Sequence, residues 1–236
     1  MTFLDAYTVK ARIAPALLVV VPLVSVTLAW FPKLNSLPGL SALGVAGIAV
    51  LMLVAQQTRR SGRILQQELV AEWGGLPTTI ILRHSDSTLR ADEKARYHAS
   101  LKKRVQGMEI PDSAGESRDR ARADRNYAMA VDWLREHTRE NPVVKSENAN
   151  YGFHRNLCAI RPLGWTSSAI GIAGAIVLMA LDQSALAIES MAAVTLALSV
   201  GCGLVLLNSA TRAKVREAAF LYAVALIRAI DATRAS

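Results

Sequence analysis

The residues best equipped for chemistry crowd into one stretch, Glu147-Asn-Ala-Asn-Tyr-Gly-Phe-His-Arg-Asn-Leu157. Arg155 carries a planar donor fork that suits a carboxylate or a phosphate. Asn148, Asn150 and Asn156 add amide donors and acceptors. Tyr151 and Phe153 offer faces for stacking. With His154 between them and Arg161 nearby, seven residues form a candidate ligand-binding or gating group: Asn150, Tyr151, Phe153, His154, Arg155, Asn156 and Arg161. The plainer alternative is an elbow beside a membrane, with aromatics at the interface and arginines on headgroups.

Nothing else in the chain reads as a reaction centre. His84, His98, His137 and His154 show no metal-ligand spacing, and each reads as an ordinary surface or helix residue. There is no nucleophile elbow, phosphate loop or dinucleotide fingerprint. The two cysteines, Cys158 and Cys202, form no paired motif and are too few for a disulfide framework. The expectation is a protein that is not an enzyme and uses no metal and no cofactor.

The elements that must position these residues follow from the spacing of charge. The chain has 236 residues, of which 52% are hydrophobic and 19% charged, with a mean hydropathy of +0.25. Soluble domains carry about a quarter charged residues. The 20 positions between Arg12 and Lys33 hold no charge, nor do the 25 between Lys33 and Arg59, nor the 20 between Arg161 and Asp182. Between Asp182 and Arg212 the only charge is Glu189. A helix needs about 20 apolar residues to cross a bilayer core. Four spans result, near 13–31, 37–56, 163–181 and 185–208. The first is no cleaved signal peptide, because it lacks a small-residue cleavage site and a second span follows at once.

Loop charge orients the spans. Residues 59–161 carry 19 Lys and Arg against 14 Asp and Glu, whereas the connection at 32–36 holds only Lys33 and the one at 182–184 holds no base. Basic residues collect on the cytoplasmic side. Both termini and residues 59–161 are therefore expected inside, in a bacterial inner membrane. The same asymmetry accounts for most of the net charge of +8 and argues against a nucleic-acid surface. The fold class expected is an all-α membrane protein: four transmembrane helices in two hairpins, with a mostly helical cytoplasmic domain inserted between them. The divisions are 1–58, 59–161, 162–210 and a C-terminal helix over 211–236.

Pro22 should kink the first span, and Pro15 falls in its first turn. Small residues at four-residue steps mark helix packing: Ala42 and Ala46 with Gly47 in span two, Ser167, Gly171 and Ala175 in span three, and Ala193, Ala197 and Gly201 in span four. Packing within the chain is favoured over self-association. Hydroxyls in the spans (Ser25, Thr27, Thr166, Ser168, Thr195, Ser199) look scattered, with no stripe of the kind that lines a pore. Glu189 reads as a headgroup-level carboxylate, or else one at a pore mouth.

Span two should continue as a helix to Trp73 and break at Gly74-Gly75-Leu76-Pro77. Thr78–Leu82 could form a strand, without an evident partner. Helices are expected over 91–105 and 118–139, with a loop at 106–117 and a short helix from Tyr151 to Ile160. The 118–139 helix should bury Tyr127, Ala130, Val131 and Leu134, and its alternating Arg and Asp should form a solvated face. The tail is helical, and its ten uncharged residues Ala218–Ile227 are too short to span. They should be buried against the middle region or another subunit.

These segments carry a resemblance. Gly74–Thr79, Lys94–His98, Trp133–Arg139, Glu147–Leu157 and Val215–Ala219 with Tyr222 resemble a little-characterised family of bacterial multi-pass membrane proteins. That resemblance implies no settled activity and no active-site residues. In architecture alone the chain is similar to the four-span effectors of anti-phage systems, which are thought to breach the inner membrane when a partner or nucleotide signal activates them. Fold does not fix function. Two readings stay open. One is an oligomeric, channel-like effector gated through its cytoplasmic domain. The other is a non-conducting anchor that docks a soluble sensor or enzyme, with Ala218–Ile227 as the docking surface.

Overall fold

The computed structural model describes residues 6–181 and 186–235. Glu189's side chain and the connection at 182–184 lie outside the described residues. All regular elements described are helical. An α turn, Ala6–Thr8, opens into a wider π-helical turn, Val9–Ile13, and then α1, Ala14–Trp30. There follow α2 (Leu37–Trp73), α3 (Pro77–Ile80), α4 (Ala91–Arg104), α5 (Ser113–Arg118) and α6 (Arg120–His137). The rest are α7 (Pro142–Ala159), α8 (Arg161–Ala180), α9 (Leu186–Ser209) and α10 (Arg212–Arg228), with a 3-10 tail at Ala229–Ala235. Four of these stretches are long and apolar enough to cross a membrane: Val9–Trp30, Pro38–Ile80, Arg161–Ala180 and Ser190–Ser209.

Three local expectations are corrected. Thr78–Leu82 is not a strand. Pro77 starts a helical turn there, and the Thr79 and Ile80 N–H groups close onto the Leu76 carbonyl. The loop at 106–117 contains α5, which Asp112 caps by accepting from the Gly115 N–H at 2.7 Å. The helix expected from Tyr151 starts nine residues earlier at Pro142, where Asn141 Oδ1 accepts from the N–H groups of Val143 and Val144. The break after α2 is as expected, with Gly74 at φ +74° and Gly75 at φ +143°.

The chain forms two compact units. The first takes residues up to Leu65 and Gly152–Val215, and the second takes Gln66–Tyr151 and residues from Arg216 on. Each passage of the chain from one unit to the other falls inside a helix: α2, α7 and α10.

In the first unit α1, α8 and α9 pack on one another. Small residues let them approach. A Cβ on Gly171 would collide with Ser199, one on Gly164 with Leu206, and one on Gly174 with Val26. These pairs, with Leu178 against Ala192, run α8 and α9 in opposite directions. Pro22 beside Gly171 and Ala29 beside Leu178 run α1 and α8 in the same direction. Gly171 and Ala175 are buried, as internal packing requires, but Ala193, Ala197 and Gly201 face outward. The buried side of α9 is instead Ala192, Thr195, Ser199, Cys202 and Leu206. Of the span hydroxyls, Ser168, Thr195 and Ser199 are buried, Ser25 and Thr27 are half-buried and Thr166 is exposed, and Thr195 donates to the Ser25 carbonyl at 3.1 Å.

The apolar half of α2 behaves differently. Of the most apolar window in each span, 44% is buried in the first, 33% and 28% in the third and fourth, and none in the second. Leu40, Val45, Ile48, Val50, Met52 and Leu53 are all exposed.

The second unit has an ordinary core. Tyr97 and Leu101 of α4, Tyr127, Ala130, Val131 and Leu134 of α6, and Ile81 and Leu82 meet Ala223, Leu226, Ile227 and Ile230 from the C-terminal segment. From the uncharged run Ala218–Ile227, the side chains of Ala223, Leu226 and Ile227 are buried against the middle region, which removes them from water, while Leu221 stays exposed.

Candidate functional site

The seven residues singled out from the sequence are divided between the two units, six of them on α7. Asn150 and Tyr151 belong to the second unit, where Tyr151 stacks on Tyr222 with ring centroids 6.4 Å apart. Phe153, His154, Arg155, Asn156 and Arg161 belong to the first unit.

Those five act on helix ends. Pro15 has no N–H, so the Ala11 carbonyl loses the donor an α-helix would give it. Asn156, 1% exposed, replaces that donor: its Nδ2 gives a hydrogen bond to the Ala11 oxygen at 2.6 Å. Asn156 Oδ1 in turn accepts from Arg155 Nε and Nη2, both at 3.2 Å. Two glycines make room, since a Cβ on Gly62 would collide with Asn156 Oδ1 and one on Gly152 would stand 2.9 Å from Ala11 Cβ. At the C-terminal end of α9, His154 Nδ1 lies 3.1 Å from the Ser209 carbonyl oxygen, and Arg161 Nη1 donates to the Ala210 carbonyl at 3.4 Å. Donors at a helix C-terminus satisfy carbonyls the helix leaves open. Phe153 packs on Leu157, Leu206 and Ala210. Arg161 lies over the exposed Trp165 ring at 5.7 Å, a pairing suited to a membrane interface. The cluster is a joint at which side chains of α7 and α8 hold the backbone carbonyls of the N-terminal π turn and of the end of α9.

The second unit holds a polar network that sequence reasoning missed. Its centre is the loop after α3. Arg83, 3% exposed, grips Asp124 of α6 with both forks: Nε to Oδ1 and Nη2 to Oδ2, each 2.8 Å. Nη2 also donates to the Gly74 carbonyl at 2.8 Å, and a Cβ on Gly75 would sit 2.7 Å from it. The buried Lys94 ammonium donates to the carbonyls of Arg83, at 2.6 Å, and Asp86. Glu116, also buried, accepts from the His84 N–H at 2.9 Å and from the Tyr127 hydroxyl at 2.7 Å. His98 Nε2 lies 2.8 Å from the Leu82 carbonyl oxygen, and its ring stacks on Tyr127 at 5.7 Å.

The electrostatics follow from burial. Desolvation, aided by Lys94 and His84, pushes His98 down to about 4, so it is neutral near pH 7. Burial also lowers Lys94, while the nearby Asp86 and Glu116 carboxylates oppose that shift, and its Nζ donates to two carbonyl oxygens. Burial would raise the Glu116 carboxyl, but the His84 N–H and the Tyr127 hydroxyl outweigh it and hold it below the usual range. Tyr127 is raised by burial and by that carboxylate.

Expectations for single residues change accordingly. His98 is buried and paired, not a plain surface residue. Asp124 turns inward from the alternating Arg–Asp face, while Arg118, Arg120, Arg122 and Arg125 stay exposed. His84 and His137 are exposed. Among the described residues no group of three or more His, Cys, Asp or Glu is placed to hold a metal ion. Comparison with known protein families, curated proteins and solved structures found no match for this chain.

Proposed function

We propose that this chain is an integral inner-membrane effector. It works as an oligomer, and its cytoplasmic unit of Gln66–Tyr151 with the C-terminal segment gates it. The observation that carries this is the exposed face of the second span. Three spans pack on one another, while the apolar half of α2 has only a half-buried stripe of Leu43, Gly47, Leu51, Val54 and Ala55, and leaves Leu40, Val45, Ile48, Val50, Met52 and Leu53 exposed. Ala42, Gly44 and Ala46 of α2, and Ala193, Ala197 and Gly201 of α9, face outward with small side chains that favour close contact between copies. The α1–α8–α9 interior is filled by Ser199 against Gly171, so a conducting path would be made between copies.

The parallel course of α1 and α8 supports one topology, with the N-terminus and residues 59–161 on the same side. Loop charge makes that side cytoplasmic. The helical passages through α2, α7 and α10 supply mechanical links for gating. In this reading the output is permeabilisation of the membrane in defence against phage.

The test is membrane potential in bacteria expressing the protein, with and without phage challenge. Depolarisation that requires the challenge, and that Asn156→Ala abolishes in protein still found in the membrane, is the expected result. An unchanged potential under every condition overturns it. The non-conducting anchor then becomes the better account, with the exposed part of the C-terminal helix, such as Leu221, available for docking.

A further inference from the structure

Beside the polar network of the second unit lies a cavity of about 390 Å³, lined by His84, Asp86, Ser87, Arg90, Lys94 and His98 among others. Its charged lining is two cations, Arg90 and Lys94, against one carboxylate, Asp86, and the exposed Arg90 guanidinium also pairs with Asp92 Oδ2 at 3.3 Å. The carboxylate is partly spent, since its Oδ1 accepts the Thr88 N–H at 2.9 Å. Lys94 is 5% exposed, and its bonds to Arg83 and Asp86 use two of its three N–H donors. His98, 7% exposed, gives its Nε2 to the Leu82 carbonyl, and His84 gives its Nε2 to the Pro111 carbonyl at 2.9 Å. A carbonyl only accepts, so each Nε2 carries a proton, and the buried His98, neutral near pH 7, keeps a lone pair on Nδ1. The wall also includes Ala91, in the first turn of the 14-residue α4, whose N-cap Arg90 makes no side-chain cap bond. Those first N–H groups are further donors.

We propose that this cavity binds the phosphate group of a small molecule. Among its lining residues Lys94, Arg90 and Ser87 would supply donors to the oxyanion, and His98 would accept from the ligand's P–OH or another hydroxyl. The lining suits a tetrahedral oxyanion, which needs several donors around one negative centre. A buried ammonium held rigidly by two backbone carbonyls loses little freedom when the anion arrives. The loop carrying His84 to Arg90 is fixed by Arg83, Lys94 and Glu116, so the site is formed before binding. The site does not depend on the effector reading, because binding is measurable whether or not the chain conducts.

The test is a titration of the full-length protein in detergent with inorganic phosphate, with ribose 5-phosphate as a second arm and chloride at matched ionic strength as control. It follows the ring proton resonances of the four histidines. Two of the four should move saturably with phosphate and not with chloride. Arg90→Gln should raise the half-saturating concentration about tenfold. Arg90 is the chosen position because its side chain is 78% exposed, so the substitution leaves the fold intact. Ser87→Ala should weaken binding by a smaller factor. Tighter binding of ribose 5-phosphate would identify an esterified ligand, and equal binding would identify free phosphate. No saturable shift in either arm, or equal shifts in Arg90→Gln and the parent, overturns the proposal.

Discussion

The two units treat their hydroxyls alike and their charged groups differently. Hydroxyls bond back to their own helix in both: Ser25 to Pro22 O, Thr27 to Leu23 O and Ser167 to Gly164 O in the first unit, Ser117 to Ser113 O and Thr138 to Leu134 O in the second. Long-range bonds in the first unit end on backbone carbonyls, as from Asn156 to Ala11 O and Thr195 to Ser25 O, whereas in the second they join side chains, from Arg83 to Asp124, from Tyr127 to Glu116 and from Arg228 to Glu93. The first unit holds the four helices long and apolar enough to cross a membrane, and in hydrocarbon each such helix would have to complete its own hydrogen bonding, so its side chains turn to carbonyls. A water-facing unit can trade solvent contacts for distant partners and thereby fix a loop. The exceptions are informative. The Ser168 and Ser199 hydroxyls of the first unit are buried without a partner, at the helix contact beside Pro22.

The largest expected effect breaks the long-range side. Arg83→Met leaves Asp124 without its fork and the Gly74 carbonyl without its donor, and should cost about 3–5 kcal/mol. Thermal unfolding in detergent would show a low-temperature transition for the second unit.

This network was almost illegible in the sequence. Arg83, Lys94, Glu116 and Asp124 are far apart in the chain, and isolated charges default to solvent in any pattern reading. The signal that could have found it is local. Arg83 follows the apolar pair Ile81-Leu82, and His98 and Lys94 share the inward face of α4 with Leu101. The spans, by contrast, were fully legible, because 20 uncharged residues leave little choice. The break at Gly74-Gly75 and the stripe from Tyr127 to Leu134 were legible for the same reason. The elbow was noticed for its residue types but read first as a ligand site. Its partners are backbone carbonyls, and only the pairing of Pro15 with a distant amide, which no spacing encodes, reveals the role.

That pairing sharpens the comparison next. Asn156→Ala should cost about 1–3 kcal/mol, because the Ala11 carbonyl is left buried and unmet. Pro15→Ala restores an N–H to that carbonyl, so the double substitution should cost less than the sum of the two singles. Strict additivity would show that the amide does not serve the proline's missing donor. Gly62→Ala, which drives a methyl into Asn156 Oδ1, should destabilise by about 1–3 kcal/mol.

Proton linkage should affect the second unit. His98 is lowered from 6.5 to about 4 in the folded chain. The unfolded chain therefore takes up a proton first, and stability falls as pH drops from about 6.5 toward 4, by up to about 3 kcal/mol. Glu116, also lowered, adds a loss below the ordinary carboxylate range. His98→Gln should flatten the upper part of that slope in a series of melting curves. The smallest effect is expected at the exposed pair of Arg122 and Glu109, where Arg122→Ala should change stability by no more than about 0.5 kcal/mol.

The exposed face of the second span is the claim on which the functional account stands. The most direct measurement is the mass of the protein released intact from lipid nanodiscs in native mass spectrometry. The account expects a single multiple of the 25.4 kDa chain. That multiple should break down when Ala42, Gly44 and Ala46 are replaced by leucine. A 25.4 kDa monomer at every concentration would contradict it.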